Sequence, residues 1–184
     1  EKAGARVEER CPELPKLYET YINLRGIHYA TVINSQPDSV KREFKETLKG
    51  NVETGLRLSS EKIYEAFRYK SKLYQIMVEF FKQYDVLALP VVGIQPGLVE
   101  EEFPKKIDGV KVKNYVDWLS FSFLATTTGV PSIAMPIGLD GNRLPIGIQL
   151  IGPPRGEHLL LRVARLLEET VGFIKLPIDP IVNH

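Results

Sequence analysis

Cysteine is nearly absent from this sequence: Cys11 is the only one in 184 residues. An internal disulfide and a cysteine-rich zinc module are therefore excluded, and a lone thiol suits a reducing, cytoplasmic setting. The three histidines, His28, His158 and His184, lie far apart and in no metal-ligand spacing, so neither a metal nor a cofactor is expected. Excess charge is also missing. Lys and Arg number 24 against 23 Asp and Glu, a net charge of +1. Such a balance leaves no electrostatic footprint for nucleic acid and no basic arm for an anionic membrane. Long apolar runs are lacking too. The longest, Val86 to Ile94, is interrupted by Pro90 and closed by Gln95, far short of the roughly 20 residues of a membrane helix. The opening Glu1-Lys2-Ala3-Gly4 matches neither a signal nor a transit peptide, and it is expected to be the interior of a longer polypeptide.

The turn-forming residues are unevenly spread. Residues 1–84 hold four glycines and three prolines, residues 85–184 ten of each. Gly and Pro punctuate turns, so 1–84 is predicted to be mainly helical and 85–184 strand-rich with a closing helix, the two together one partial domain. Ala5 to Arg10 alternates and predicts a strand. Leu17, Tyr21, Leu24 and His28 give helical spacing over Leu14 to Ala30, with Gly26 as a weak point. Asp38 predicts a helix cap, followed by Val40, Phe44, Leu48 and Val52 on one buried face. Ser59 or Ser60 predicts the next cap, with Glu61 in the first turn and Ile63, Phe67, Leu73, Met77 and Phe81 as the apolar stripe.

Past Asp85 the texture changes. Val86-Leu87-Ala88-Leu89 reads as a strand buried on both faces. Asp108-Gly109 predicts a tight hairpin within 105–112, because Asp-Gly supplies positive φ, and Glu100-Glu101-Glu102 an exposed loop. A helix is expected over Asn114 to Thr126, strands over Ser132–Ile137 and Ile146–Ile151, a turn at Asp140-Gly141, and a helix over Glu157–Thr170 ended by Gly172. Alternating helices and strands predict an α/β fold.

No catalytic constellation is visible in the residues alone. Ser59-Ser60 near Lys62 is better explained as a cap, and Lys70-Ser71-Lys72 as solvated surface. A Gly-x-Ser-x-Gly elbow, a phosphate-cradling glycine loop and a dinucleotide fingerprint are all missing.

One stretch is specific. Thr126 to Gly138 contains Gly129-Val130-Pro131-Ser132 and Met135-Pro136. Leu144-Pro145-Ile146-Gly147-Ile148-Gln149-Leu150-Ile151-Gly152 follows, then His158-Leu159-Leu160-Leu161-Arg162-Val163-Ala164. Their order and spacing resemble the C-terminal part of the amidase signature family. Tyr84 to Pro90, Gly55 to Ser59 with Tyr64 and Ala66, and Gly4 to Val7 extend the resemblance over nearly the whole chain. It is strongest from 129 to 164.

The resemblance implies an α/β/α sandwich with a mixed sheet, incomplete in this chain, and a hydrolase that cleaves a carboxamide C–N bond. In that family a serine attacks, a second serine relays protons to a lysine, and backbone amides hold the oxyanion. The matching signature and lysine lie in the N-terminal half of such proteins, so no catalytic residue is assigned here. This half would contribute sheet core and one wall of the cleft. The implied partners are a small-molecule amide, the missing N-terminal half or a partner chain over the exposed sheet, and a possible second copy in a homo-oligomer.

Two places suit contact with substrate. One is the strand end at Leu89-Pro90-Val91-Val92-Gly93, with Pro90 and Val91 as the candidate contacts, because ligands of α/β sheets gather at strand ends; an ordinary turn is the alternative. The other is Ser122 with Thr126, Thr127 and Thr128, whose hydroxyls either reach a substrate or bond nearby carbonyls. Thr126 stands where the family often has Asn, and Val91-Val92 replaces a more polar run. Val91 and Trp118 point toward an apolar acyl group; Arg143 and Arg155 would suit an acidic one. A stand-alone binding or scaffolding subunit is the competing reading.

Overall fold

The computed structural model describes residues 1–172; His184 and the end of the strand-rich segment lie outside them. The elements run α1 (Leu17–His28), which passes into a π-helical turn over Tyr29–Ile33, α2 (Asp38–Lys41), α3 (Glu46–Leu56), α4 (Ser60–Phe80), β1 (Leu87–Pro90), β2 (Lys106–Ile107) and β3 (Val110–Lys111). A 3-10 turn at Asp117–Leu119, α5 (Ser122–Thr128), β4 (Ser132–Leu139), β5 (Pro145–Ile151) and α6 (Glu157–Val171) complete the order.

The longest helix, α4, starts where its local chemistry dictates. The Ser59 hydroxyl accepts a bond from the Lys62 N–H at 3.3 Å, and Glu61 lies in the first turn, complementing the helix dipole. Its buried line is Ala66, Leu73 and Met77, the last two with no exposed surface. Phe67 of the predicted stripe is instead 51% exposed, because α1 and the sheet cover a face rotated from it. The N-terminal end of α1 is tied to α4 by Glu65, which accepts from Lys16 Nζ at 2.6 Å and Lys62 Nζ at 3.0 Å. Those two bonds, the one from Lys16 first, hold the Glu65 carboxyl at about 2.

Gly26, expected to weaken α1, is where α1 meets α3. A Cβ on Gly55 would overlap the carbonyl of Gly26 and sit 2.8 Å from the Ala30 methyl, so two glycines let the helix backbones touch. Other local expectations give way for physical reasons. Residues Ala5 to Arg10 form no strand: no neighbouring strand offers them a ladder, and their side chains are exposed. Pro37, not Asp38, caps α2, which ends after one turn. The chain leaves the helix over 42–45, so Val40 is cut off from the buried face and is 44% exposed.

The strand-rich part centres on a three-stranded antiparallel sheet in the order β1-β5-β4. Leu87, Leu89 and Pro90 of β1 face Ile151, Gln149 and Ile148 of β5, and Ser132 and Ala134 of β4 face Ile151 and Gln149 from the other side. Opposed residues share a face. One face carries Leu87 and Ile151 against Met77 of α4 and Leu124 and Ala125 of α5. The other carries Leu150, with Ile133 and Met135, against Leu160 and Ala164 of α6. Helices thus cover both faces, and the fold is α/β.

β1 is an edge strand, so the double-faced burial expected of it is not met: Ala88 and Pro90 are exposed. β4 likewise alternates, with Ser132, Ala134 and Pro136 exposed. Among the described residues, the outer edges of β1 and β4 have no strand partner. The hairpin β2–β3 forms as predicted, with Asp108 at φ 49° and Gly109 at φ 77°. The helix expected over Asn114–Thr126 divides. The Asp117 carboxylate accepts from the N–H groups of Lys113 and Asn114, which favours a turn, and α5 begins only at Ser122. Gly129 closes α5 at φ 73°, its N–H bonded to the Ala125 carbonyl at 2.8 Å.

Candidate functional site

Where β1 ends, the chain turns out of the sheet beneath the loop 93–104 and opens a cleft of about 700 Å³, within the range of small-molecule sites. Its floor is the backbone of β1 and β5 at Pro90, Val91 and Ile146 to Ile148. Gly147 makes room: a Cβ there would stand 3.2 Å from a Val91 methyl. Ile137 joins the wall through a β-bulge. Pro136 pairs with Gly147 and Gly138 with Ile146, which leaves Ile137 without a counterpart and re-aims it.

The far wall is aromatic. Phe103 stands edge-on to Tyr115, and Tyr115 edge-on to Trp118, with centroids 6.2 and 6.0 Å apart. Trp118 lines the cleft, and its indole N–H is buried without an acceptor. The neighbouring Asp117 anchors this segment to α1. Tyr18 donates its hydroxyl to Asp117 Oδ1 at 2.6 Å, and Asn114 Nδ2 donates to Tyr18 at 3.2 Å. Burial opposes ionisation of Asp117, but the bonds from Tyr18, Lys113 and Asn114 outweigh it and hold the carboxyl below its ordinary value. Burial, then the bond to Asp117, raises the Tyr18 phenol.

Of the residues singled out in the sequence, Pro90 and Val91 line the cleft. Ser122 is half-buried and not in the lining, but its hydroxyl donates to the Val91 carbonyl at 2.7 Å, joining the two sequence-distant places. Gln149 Nε2 donates to the Phe121 carbonyl at 3.0 Å, so both bonds pin the start of α5 to the sheet. Thr127 and Thr128 are buried, and their hydroxyls donate to the carbonyls of Phe123 and Leu124 at 2.7 and 2.8 Å. Thr126 is exposed and outside the cleft lining. Arg143 and Arg155 occupy left-handed turn positions, φ 65° and 60°, away from the cleft lining.

Sequence reasoning missed Ile94, Phe103, Ile137, Ile146 and Ile148 as cleft residues. The bulge and the β1–β5 register bring them together, and neither leaves a local signal. Ser59 is occupied as a cap, and the Ser71 hydroxyl donates to the Phe67 carbonyl at 3.2 Å. Among the described residues, no three His, Cys, Asp or Glu side chains gather where they could hold a metal ion, and no helix is long and apolar enough to cross a membrane.

Comparison with known proteins places this cleft in context. The family model described as Amidase matches residues 1–161. This chain belongs to the amidase family. A putative amidase of Synechocystis sp. is 28% identical over 171 residues, which is 92% of this chain and 32% of that protein. A fatty acid amide hydrolase of Oryza sativa subsp. indica is 31% identical over 171 residues, 90% of this chain and 28% of that protein. The solved structure of 6-aminohexanoate cyclic dimer hydrolase superposes with a TM-score of 0.76 at 21% identity, over 94% of this chain and 39% of that one; at such identity the likeness establishes the fold. This amidase-family chain therefore spans about a third or less of the length of these two curated relatives.

Proposed function

We propose that the chain is the C-terminal part of an amidase-signature hydrolase that cleaves a carboxamide C–N bond, and that it supplies sheet core and one wall of the substrate cleft. The observation that carries this reading is position: a cleft of small-molecule size opens at the end of β1 and the start of β5, inside the segment that matches the family. Pro90 and Val91 shape the floor, Ser122 fixes the Val91 carbonyl, and Thr127 and Thr128 stiffen α5 behind it. Thr126 lies outside the cleft lining, so a contact from it would have to be with polypeptide or substrate beyond this wall.

In this reading the Ser-Ser-Lys machinery lies on polypeptide beyond this chain. That polypeptide, the N-terminal half or a partner chain, also adds strands to the outer edges of β1 and β4, which would otherwise template unwanted pairing. What the present residues do is bind and orient the amide and keep water from its acyl side. A possible homo-oligomer and a cytoplasmic, reducing location, the latter resting on the lone Cys11, belong to the same reading.

The test is an intact-mass measurement of the native protein together with labelling by a serine-reactive fluorophosphonate. A native polypeptide longer than 184 residues that takes the label is expected. A native chain of 20.8 kDa that stays unlabelled would remove the enzyme reading in favour of a scaffolding subunit.

A further inference from the structure

The cleft has a charge pattern as well as a shape. Its inner lining is aliphatic and aromatic, with Val92, Ile94, Trp118 and Ile148 as its bulkier members, and its exposed rim carries Glu101 and Glu102. Among the described residues, no lysine or arginine lines the cleft. The nearest ion pair at the rim is loose: Lys105 Nζ stands 3.7 Å from Glu101, and its side chain is 85% exposed. Glu102 accepts a bond from the Thr47 hydroxyl at 2.9 Å, which orients its carboxylate without neutralising it.

We infer that this cleft is a charge filter, admitting neutral or cationic amides of apolar acids and rejecting amides that carry a carboxylate. The inference rests on the amidase reading and adds its substrate class. Two effects combine. The apolar wall rewards each buried methylene with about fourfold in affinity. The Glu102 carboxylate, which has a hydroxyl but no cation as its partner, and Glu101, only loosely paired with Lys105, repel an anion at the rim, and a low-dielectric wall strengthens that repulsion. The arginines that would have suited an acidic substrate, Arg143 and Arg155, lie away from the lining.

The test is calorimetric binding to the natural full-length protein of three probes: octanamide, octanamide with a terminal ammonium, and octanamide with a terminal carboxylate. At low salt the first two are expected to bind on the order of tenfold more tightly than the third, with the gap shrinking as salt is added. The double substitution Glu101→Gln, Glu102→Gln is expected to close most of the gap by raising the affinity for the carboxylate probe. It alters exposed loop residues, and glutamine at 102 can still accept from Thr47. Trp118→Ala is expected to weaken all three probes alike. Equal binding of the carboxylate probe, or a gap that the double substitution leaves intact, overturns the inference. Turnover is read separately. Hydrolysis of all three probes at one rate overturns the filter but keeps the amidase; discrimination in binding with no hydrolysis keeps the filter and removes the amidase.

Discussion

The helical region from Leu17 to Phe80 and the sheet region from Leu87 to Val171 close their surfaces differently. In the first, α1 packs on both α3 and α4, and Leu73 of α4 is wholly withdrawn from water. In the second, one central strand, β5, is flanked by two edges, and the exposed positions include Ala88, Ser132, Ala134 and Pro136. The helices satisfy their backbone internally, so they need only an apolar stripe to be complete. A sheet must find its next hydrogen-bonding partner outside each strand. The difference teaches where this chain closes its own surfaces and where, among the described residues, its strand edges stay unpaired, and the cleft opens beside one of those edges, β1.

Truncating the core is the most direct way to break this comparison. Leu73→Ala should destabilise by about 2–5 kcal/mol, since it leaves a cavity at a fully enclosed site. The same truncation at the half-buried Leu89 of β1 should cost less than half as much. Equal costs in urea denaturation would show the two regions to be equally closed. Next in size is Gly55→Ala, expected to lose about 1–3 kcal/mol because the new methyl meets the Gly26 backbone rather than a yielding side chain. An unchanged denaturation midpoint would mean that α1 and α3 can separate freely.

Ser122→Ala removes the bond to the Val91 carbonyl and should cost about 1 kcal/mol. In the full-length protein it should also weaken octanamide binding, through the displaced cleft floor, whereas Thr127→Val should alter stability without altering that binding. The smallest effect is a pH dependence. Glu65 has its folded value lowered to about 2, so its ion pairs contribute stability that is complete above its ordinary value, near 4.5, and lost as pH falls toward 2. The difference in denaturation midpoint between the protein and Glu65→Gln should therefore be present at pH 6 and fade below about pH 4. A difference that persists to pH 2 would assign Glu65 a role other than pairing with Lys16 and Lys62.

What was legible in the sequence was local. The Ser59 cap, the Asp108-Gly109 turn and the glycine stop at Gly172 each depend on a few neighbouring residues, and each is found where the sequence puts it. The α6 stripe also holds, with Leu160 and Ala164 buried, because a period of 3.6 residues needs only one flat partner. The Ala5–Arg10 strand failed because alternation cannot announce whether a neighbour exists. The Val40-to-Val52 stripe held at Val52, which is buried, and failed at Val40, because the backbone leaves the helix at 42–45 without a glycine or proline to mark it. Pro90, Val91 and Trp118 were legible as cleft residues from strand-end logic and apolarity. Ile137 was not, since a bulge is a mismatch between two strands and is written in neither alone.

By itself, then, the sequence determined the balance of charge, the order of helices and strands, the caps and turns, and the family motifs from 129 to 164. These follow from short-range sterics, hydrogen bonding and residue period. The tertiary structure decided which faces are covered, which strand edges stay open, and that Val91, Ile137, Ile148 and Trp118 meet around one cavity. Those outcomes depend on register and on contacts between segments tens of residues apart, and no local pattern encodes a distance through space.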